Sequence, residues 1–115
     1  MLWRSKKAVA PKADRATPAF AQAAEATRRA AFLNTAASIT ADEAYRQQLR
    51  DLLLTCRSAA LKAGQAEGRS QADVDTLIGE LCDADAVRMK AASDEEFRAF
   101  VSESGELVKR FLATI

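Results

Sequence analysis

From about residue 18 to the end of the chain, apolar positions recur at spacings of three and four and do not alternate. That pattern predicts amphipathic helices and no strand. The first stretch runs from about Pro18 to Ala37, with Phe20, Ala24, Thr27, Ala31 and Phe32 or Leu33 facing inward. The second runs from about Ala41 to Ala63 or Glu67 and aligns Tyr45, Leu49, Leu52, Leu53, Cys56, Ala60 and Ala63. The third, from about Gln71 to Ala91, carries Val74, Leu77, Ile78, Leu81, Cys82 and Met89. The fourth, from about Asp94 to Leu112, carries Phe97, Phe100, Val101, Leu107, Val108, Phe111 and Leu112.

Start signals agree with these limits. Thr17-Pro18 places a capping hydroxyl before a proline at the first helical position. Thr40-x-x-Glu43, Ser70-x-x-Asp73 and Ser93-x-x-Glu96 match the capping box, in which hydroxyl and acid each satisfy a backbone N–H. Gly79 sits inside the third stripe at a cost of roughly 1 kcal/mol against Ala, which points to a close helix crossing. Gly105 interrupts the fourth stripe and marks a place for a kink.

Short joints at 38–40, 64–70 and 92–93 force neighbouring helices to run antiparallel or to cross steeply. The prediction is therefore an all-α fold, a compact antiparallel four-helix bundle over residues 17–115. The variant is a three-helix core with the alanine-rich first helix packed outside. Residues 1–16 have no helical stripe and contain Pro11, so they read as a basic N-terminal tail.

Composition narrows the function classes. Ala supplies 26 of the 56 apolar residues, leaving 30 with bulk to fill a core. So small a store of bulk makes a homodimer one expected way to complete the core. Val and Ile together number eight, which also favours helix over sheet. With no His, the chain lacks the commonest general base and the commonest transition-metal ligand. It has no glycine-rich phosphate loop either, so neither an enzyme nor a cofactor or metal is expected. No apolar run approaches the roughly 18–20 residues of a membrane span. No apolar core follows the basic start, so a cytoplasmic protein with two reduced thiols is expected.

The net charge of +1 conceals an uneven distribution. Residues 1–38 carry seven basic and two acidic groups, whereas residues 70–115 carry five and ten. Three constellations follow. A hairpin turn centred on Arg69 would set Cys56 level with Cys82, whereas one centred near Glu67 would pair position 56 with position 78, so a redox-responsive bridge between the two cysteines is one reading. A disulfide would need a tight crossing, because ordinary helix spacing keeps Cα atoms too far apart. Without a His to activate them, buried thiols packing as small hydrophobes is the plainer reading. Arg46, Arg50 and Arg57 fall within about 40° on the second helix. They form a row that can meet phosphates or an acidic partner, unless it is neutralised by Asp42 and by Asp73, Glu80 and Asp83 of the next helix. Finally, Leu2 and Trp3 precede Arg4, Lys6 and Lys7, an apolar anchor beside basic groups that suits a partner's pocket, nucleic acid or weak contact with an anionic membrane surface.

The expectation by elimination is a non-enzymatic protein–protein interaction module, an adaptor, assembly factor or regulator. It would use helix faces and a tethering tail. A nucleic-acid-associated regulator and a thiol switch through Cys56 and Cys82 are the alternatives, the former disfavoured by the acidic second half.

Overall fold

The computed structural model describes residues 17–37 and 42–115, and among them it contains four α-helices and no strand. They are α1 (Pro18–Ala36), α2 (Glu43–Ala66), α3 (Gln71–Lys90) and α4 (Asp94–Leu112). The fold is the predicted all-α four-helix bundle. The predicted anchors Leu2, Trp3, Arg4, Lys6 and Lys7 lie outside the described residues, as does Thr40.

Three helices begin where their caps predict. Thr17 accepts from the Phe20 N–H at 3.2 Å, with Pro18 just inside. Ser70 accepts from the Asp73 N–H at 3.1 Å. Ser93 and Glu96 form the full reciprocal box, at 3.1 and 2.8 Å. The start of α2 is a correction: Asp42, not Thr40, is the cap, and it accepts from the Tyr45 N–H at 2.8 Å. Asp caps at least as well as Thr, and its charge suits the positive end of the helix.

The alanine-rich α1 is the hub of the bundle, so the variant that placed it outside is not the one formed. It packs most extensively on α2, then on α4 and α3, while α2 and α3 meet only sparingly. Phe20, Ala23, Ala24, Ala26, Thr27, Ala30 and Leu33 are buried around it. Short side chains let several neighbours approach one helix at once, and the neighbours supply the bulk. The one buried hydroxyl of α1, Thr27, donates to the Ala23 carbonyl at 2.7 Å.

Two apolar clusters result. One joins Phe20, Ala23 and Ala24 to Ala60, Val74 and Ile78. The other joins Ala26, Ala30 and Leu33 to Leu49, Cys56 and Val108. Gly64 is essential to the first, because a Cβ there would sit 2.7 Å from Val74 Cγ2 and 3.2 Å from Phe20 Cε1. Gly79 does not mark a crossing, since nothing lies within 4 Å of a Cβ built on it, and the same holds for Gly105. The helix α4 runs through Gly105 without a break.

The turn after α2 also fastens the start of α1. Gly68 takes a left-handed backbone (φ +85°), and the Gly68 and Arg69 N–H groups close back on Gln65 and Gly64 at 3.0 and 2.8 Å. This is a Schellman cap, which satisfies carbonyls the helix end leaves unpaired. Glu67 then accepts from the Thr17 N–H at 3.1 Å, and the Arg69 guanidinium covers the Phe20 ring at 4.5 Å. Two predicted core residues stay at the surface: Tyr45 is 47% exposed and Phe97 37%. Each lies in the first turns of its helix, near the end of the bundle, where fewer neighbours are available to cover it. No helix of the described residues is long and apolar enough to cross a membrane.

Candidate functional site

At the end of the bundle formed by the last turns of α1 and α3 and the first turns of α4, the helices leave a pocket of about 360 Å³. Its walls are Phe32 and Phe97, which meet edge to face at 5.6 Å, together with Ala31, Ala36, Ala86 and Met89. Arg28, Asp85, Cys82 and Thr35 complete the lining.

Asp85 is 3% exposed, so its charge must be compensated inside the protein. Arg28 does this with a two-pronged contact, Nε to Oδ2 at 2.7 Å and Nη2 to Oδ1 at 2.5 Å. Its third donor, Nη1, reaches Glu25 at 3.1 Å. The carboxylate contact holds the Arg28 guanidinium above its ordinary pKa, more than offsetting its partial burial. Glu25 in turn accepts from Arg29 Nε at 3.2 Å, and Arg29 Nη1 donates to the buried Ser104 hydroxyl at 3.2 Å.

Phe100 lies between two cations. Arg29 stands 4.3 Å and Arg88 4.7 Å from its centroid, while Phe32 meets it edge-on at 4.6 Å. Arg88 also approaches Asp85 at 3.6 Å. One network of charges and rings therefore ties α1, α3 and α4 together beneath the pocket. Because its charges compensate one another, the open part of the pocket presents mainly apolar and aromatic surface. Burial, and then the nearby Asp85 carboxylate, push the Cys82 thiol above its usual pKa, so at neutral pH it is a thiol and not a thiolate nucleophile.

The predicted constellations are placed as follows. Both cysteines are free thiols and belong to different packing layers. Cys56 packs with Ala26, Ala30, Leu49 and Val108, and burial pushes its pKa up to about 11. Cys82 packs at the edge of the Phe20 cluster and lines the pocket. Equal height along a hairpin is not contact here, because α2 and α3 splay around α1.

The arginine row is largely neutralised, though not by the residues expected. Arg46 and Arg50 both pair with Glu43, at 2.9 and 3.2 Å, because Asp42 is occupied as the cap. Arg57 makes a two-pronged contact with Asp75, at 3.0 and 2.8 Å, and not with Asp73, Glu80 or Asp83.

Sequence reasoning missed the Arg28–Asp85 centre. The signal was present: Asp85 lies seven residues beyond Ile78 and eleven beyond Val74, so it continues the inward stripe of α3. A carboxylate on an apolar stripe needs a cation facing it, and Arg28 is that cation. Among the described residues no group of three or more His, Cys, Asp or Glu side chains is placed to hold a metal ion. No family model matches the chain, and no curated protein or solved structure matches it either.

Proposed function

We propose that this bundle is a non-enzymatic protein-binding module, of the adaptor or regulator kind, and that the Phe32–Phe97 pocket is its docking point. One observation carries the reading: Phe97 is left 37% exposed on the wall of an apolar pocket whose buried charges are already paired. A volume of about 360 Å³ lies at the low end of ligand pockets, about 300–1,000 Å³. That space suits one or two anchor side chains of a partner, the usual energetic centre of a protein interface. The nucleic-acid reading has less support, because Arg46, Arg50 and Arg57 each face a carboxylate.

The test is affinity capture from the source cell with the wild-type chain and with Phe97→Asp. Phe97 is partly exposed, so the variant is expected to keep its helix content by circular dichroism. Proteins retained by the wild type and lost from the variant are the expected result. An identical capture profile with the two folded baits overturns the assignment of the pocket.

A further inference from the structure

We propose that the pocket has an occupant within this chain: residues 2–7, with the Trp3 side chain seated against Phe32 and Phe97. This deepens the docking reading and rests on it, since it names a ligand for the same pocket.

The first argument is reach. Trp3 lies fourteen positions before Thr17, and at about 3.3 Å per position that stretch spans up to about 46 Å. Thr17 is held to Glu67 at the opposite end of the bundle. From there to Phe32 the path follows fifteen residues of α1, about 22 Å at 1.5 Å per residue. The segment therefore reaches the pocket with length to spare and needs no second molecule.

The second argument is charge. Residues 2–7 carry Arg4, Lys6 and Lys7 and no acid. The first turn of α4, which leads into Phe97, carries Asp94, Glu95 and Glu96. On the facing rim Arg88 leans over Phe100 and approaches Asp85 at 3.6 Å while its side chain stays 56% exposed, so the acids of α4 outnumber this one cation. Of two other clefts nearer Thr17, one carries Lys62 as its only charged lining residue and the other sets Arg110 against Glu25, so neither offers a run of acids to a basic segment. The third argument is chemistry. Two aromatic rings and the Met89 thioether form a site where an indole gains stacking and sulfur contacts beyond simple burial.

Trp3 is the only tryptophan, so its fluorescence reports its surroundings directly. Cys82 lines the pocket, so its alkylation reports whether the pocket is covered, and the buried Cys56 is the internal control. The expected result is Trp3 emission blue-shifted from that of a free peptide of residues 1–16, with the shift reduced in Phe97→Asp and in Asp94→Lys/Glu95→Lys. Deleting residues 2–7 is expected to speed Cys82 alkylation about fivefold, because only the uncovered fraction reacts. Both signals should be unchanged over a hundredfold dilution of the full chain. Peptide-like emission overturns the proposal, and so does a Cys82 rate indifferent to the deletion. Signals that fade on dilution assign the segment to the pocket of a second copy, which also overturns the proposal.

The capture experiment separates this failure from that of the docking reading. A covering segment predicts that deleting residues 2–7 increases capture of partners, whereas a tether predicts a decrease. If Trp3 proves exposed while Phe97→Asp still loses its partners, the pocket remains a docking site without an internal occupant.

Discussion

The seam between α1 and α2 and the end where α1 meets α3 and α4 are built from opposite materials. The seam is lined by Ala23, Ala26, Ala30, Cys56, Ala60 and Gly64, all buried. The other end is lined by Phe32, Met89, Phe97, Phe100 and the Arg28–Asp85 pair. Small side chains let two helices close on each other at their buried line of contact, beside which a cleft runs along Ala19, Ala23, Ala59 and Ala63. Rings and guanidinium groups hold helices apart, satisfy one another through directional contacts, and leave a pocket. A single helix, α1, takes part in both, with Ala23, Ala26 and Ala30 in the seam and Arg28 and Phe32 at the aromatic end.

The contrast makes predictions that differ in size and sign. The largest concerns Asp85→Ala, which leaves the Arg28 charge without its main partner in a partly buried site. A loss of about 3–5 kcal/mol in chemical denaturation is expected for breaking a buried pair. Replacing both members with apolar residues, Arg28→Met with Asp85→Leu, should recover most of that loss. A loss below about 1 kcal/mol for Asp85→Ala alone would mean that this end is not held by its charges.

The next prediction tests the closed seam. Gly64→Ala forces a Cβ to within 2.7 Å of the fully buried Val74 side chain, which cannot easily turn aside. Overpacking of this kind outweighs the gain in helix propensity, and a net loss of about 1–2 kcal/mol is expected. A stabilised Gly64→Ala protein would show that the seam is looser than its geometry implies.

The same substitution should reverse its sign elsewhere. Gly79→Ala and Gly105→Ala meet nothing within 4 Å, so only helix propensity responds. Each is expected to stabilise by about 0.5–1 kcal/mol, visible as a higher denaturation midpoint. Destabilisation at either position would place an unrecognised contact there.

The elements of the fold were legible because their signals are local. Thr17-Pro18, Ser70 and Ser93 each cap a helix within three residues of themselves, and no distant contact is needed to read them. The start of α2 is the exception: Asp42, read in the sequence only as a neighbour of Arg46, accepts from the Tyr45 N–H and caps the helix. The pocket was less legible. Phe97 falls on the same stripe as Phe100, yet the first is partly exposed and the second is 5% exposed. Periodicity reports which side of a helix an aromatic lies on, but not whether a neighbour extends far enough to cover it. For the same reason Cys56 and Cys82, both on apolar stripes of consecutive helices, occupy separate layers.

The amino-acid sequence by itself determined that this chain is helical, where three of its four helices begin, and that its charges divide into a basic first part and an acidic last part. Those properties depend on spacing, propensity and capping within a few residues. Only the tertiary structure decided that the alanine-rich helix is the hub, that Arg28 answers Asp85 across 57 positions, and that the aromatic end stays open. These depend on which helix surfaces meet and how closely. That closeness is set jointly by the sizes of side chains far apart in the chain, so no local stretch contains it.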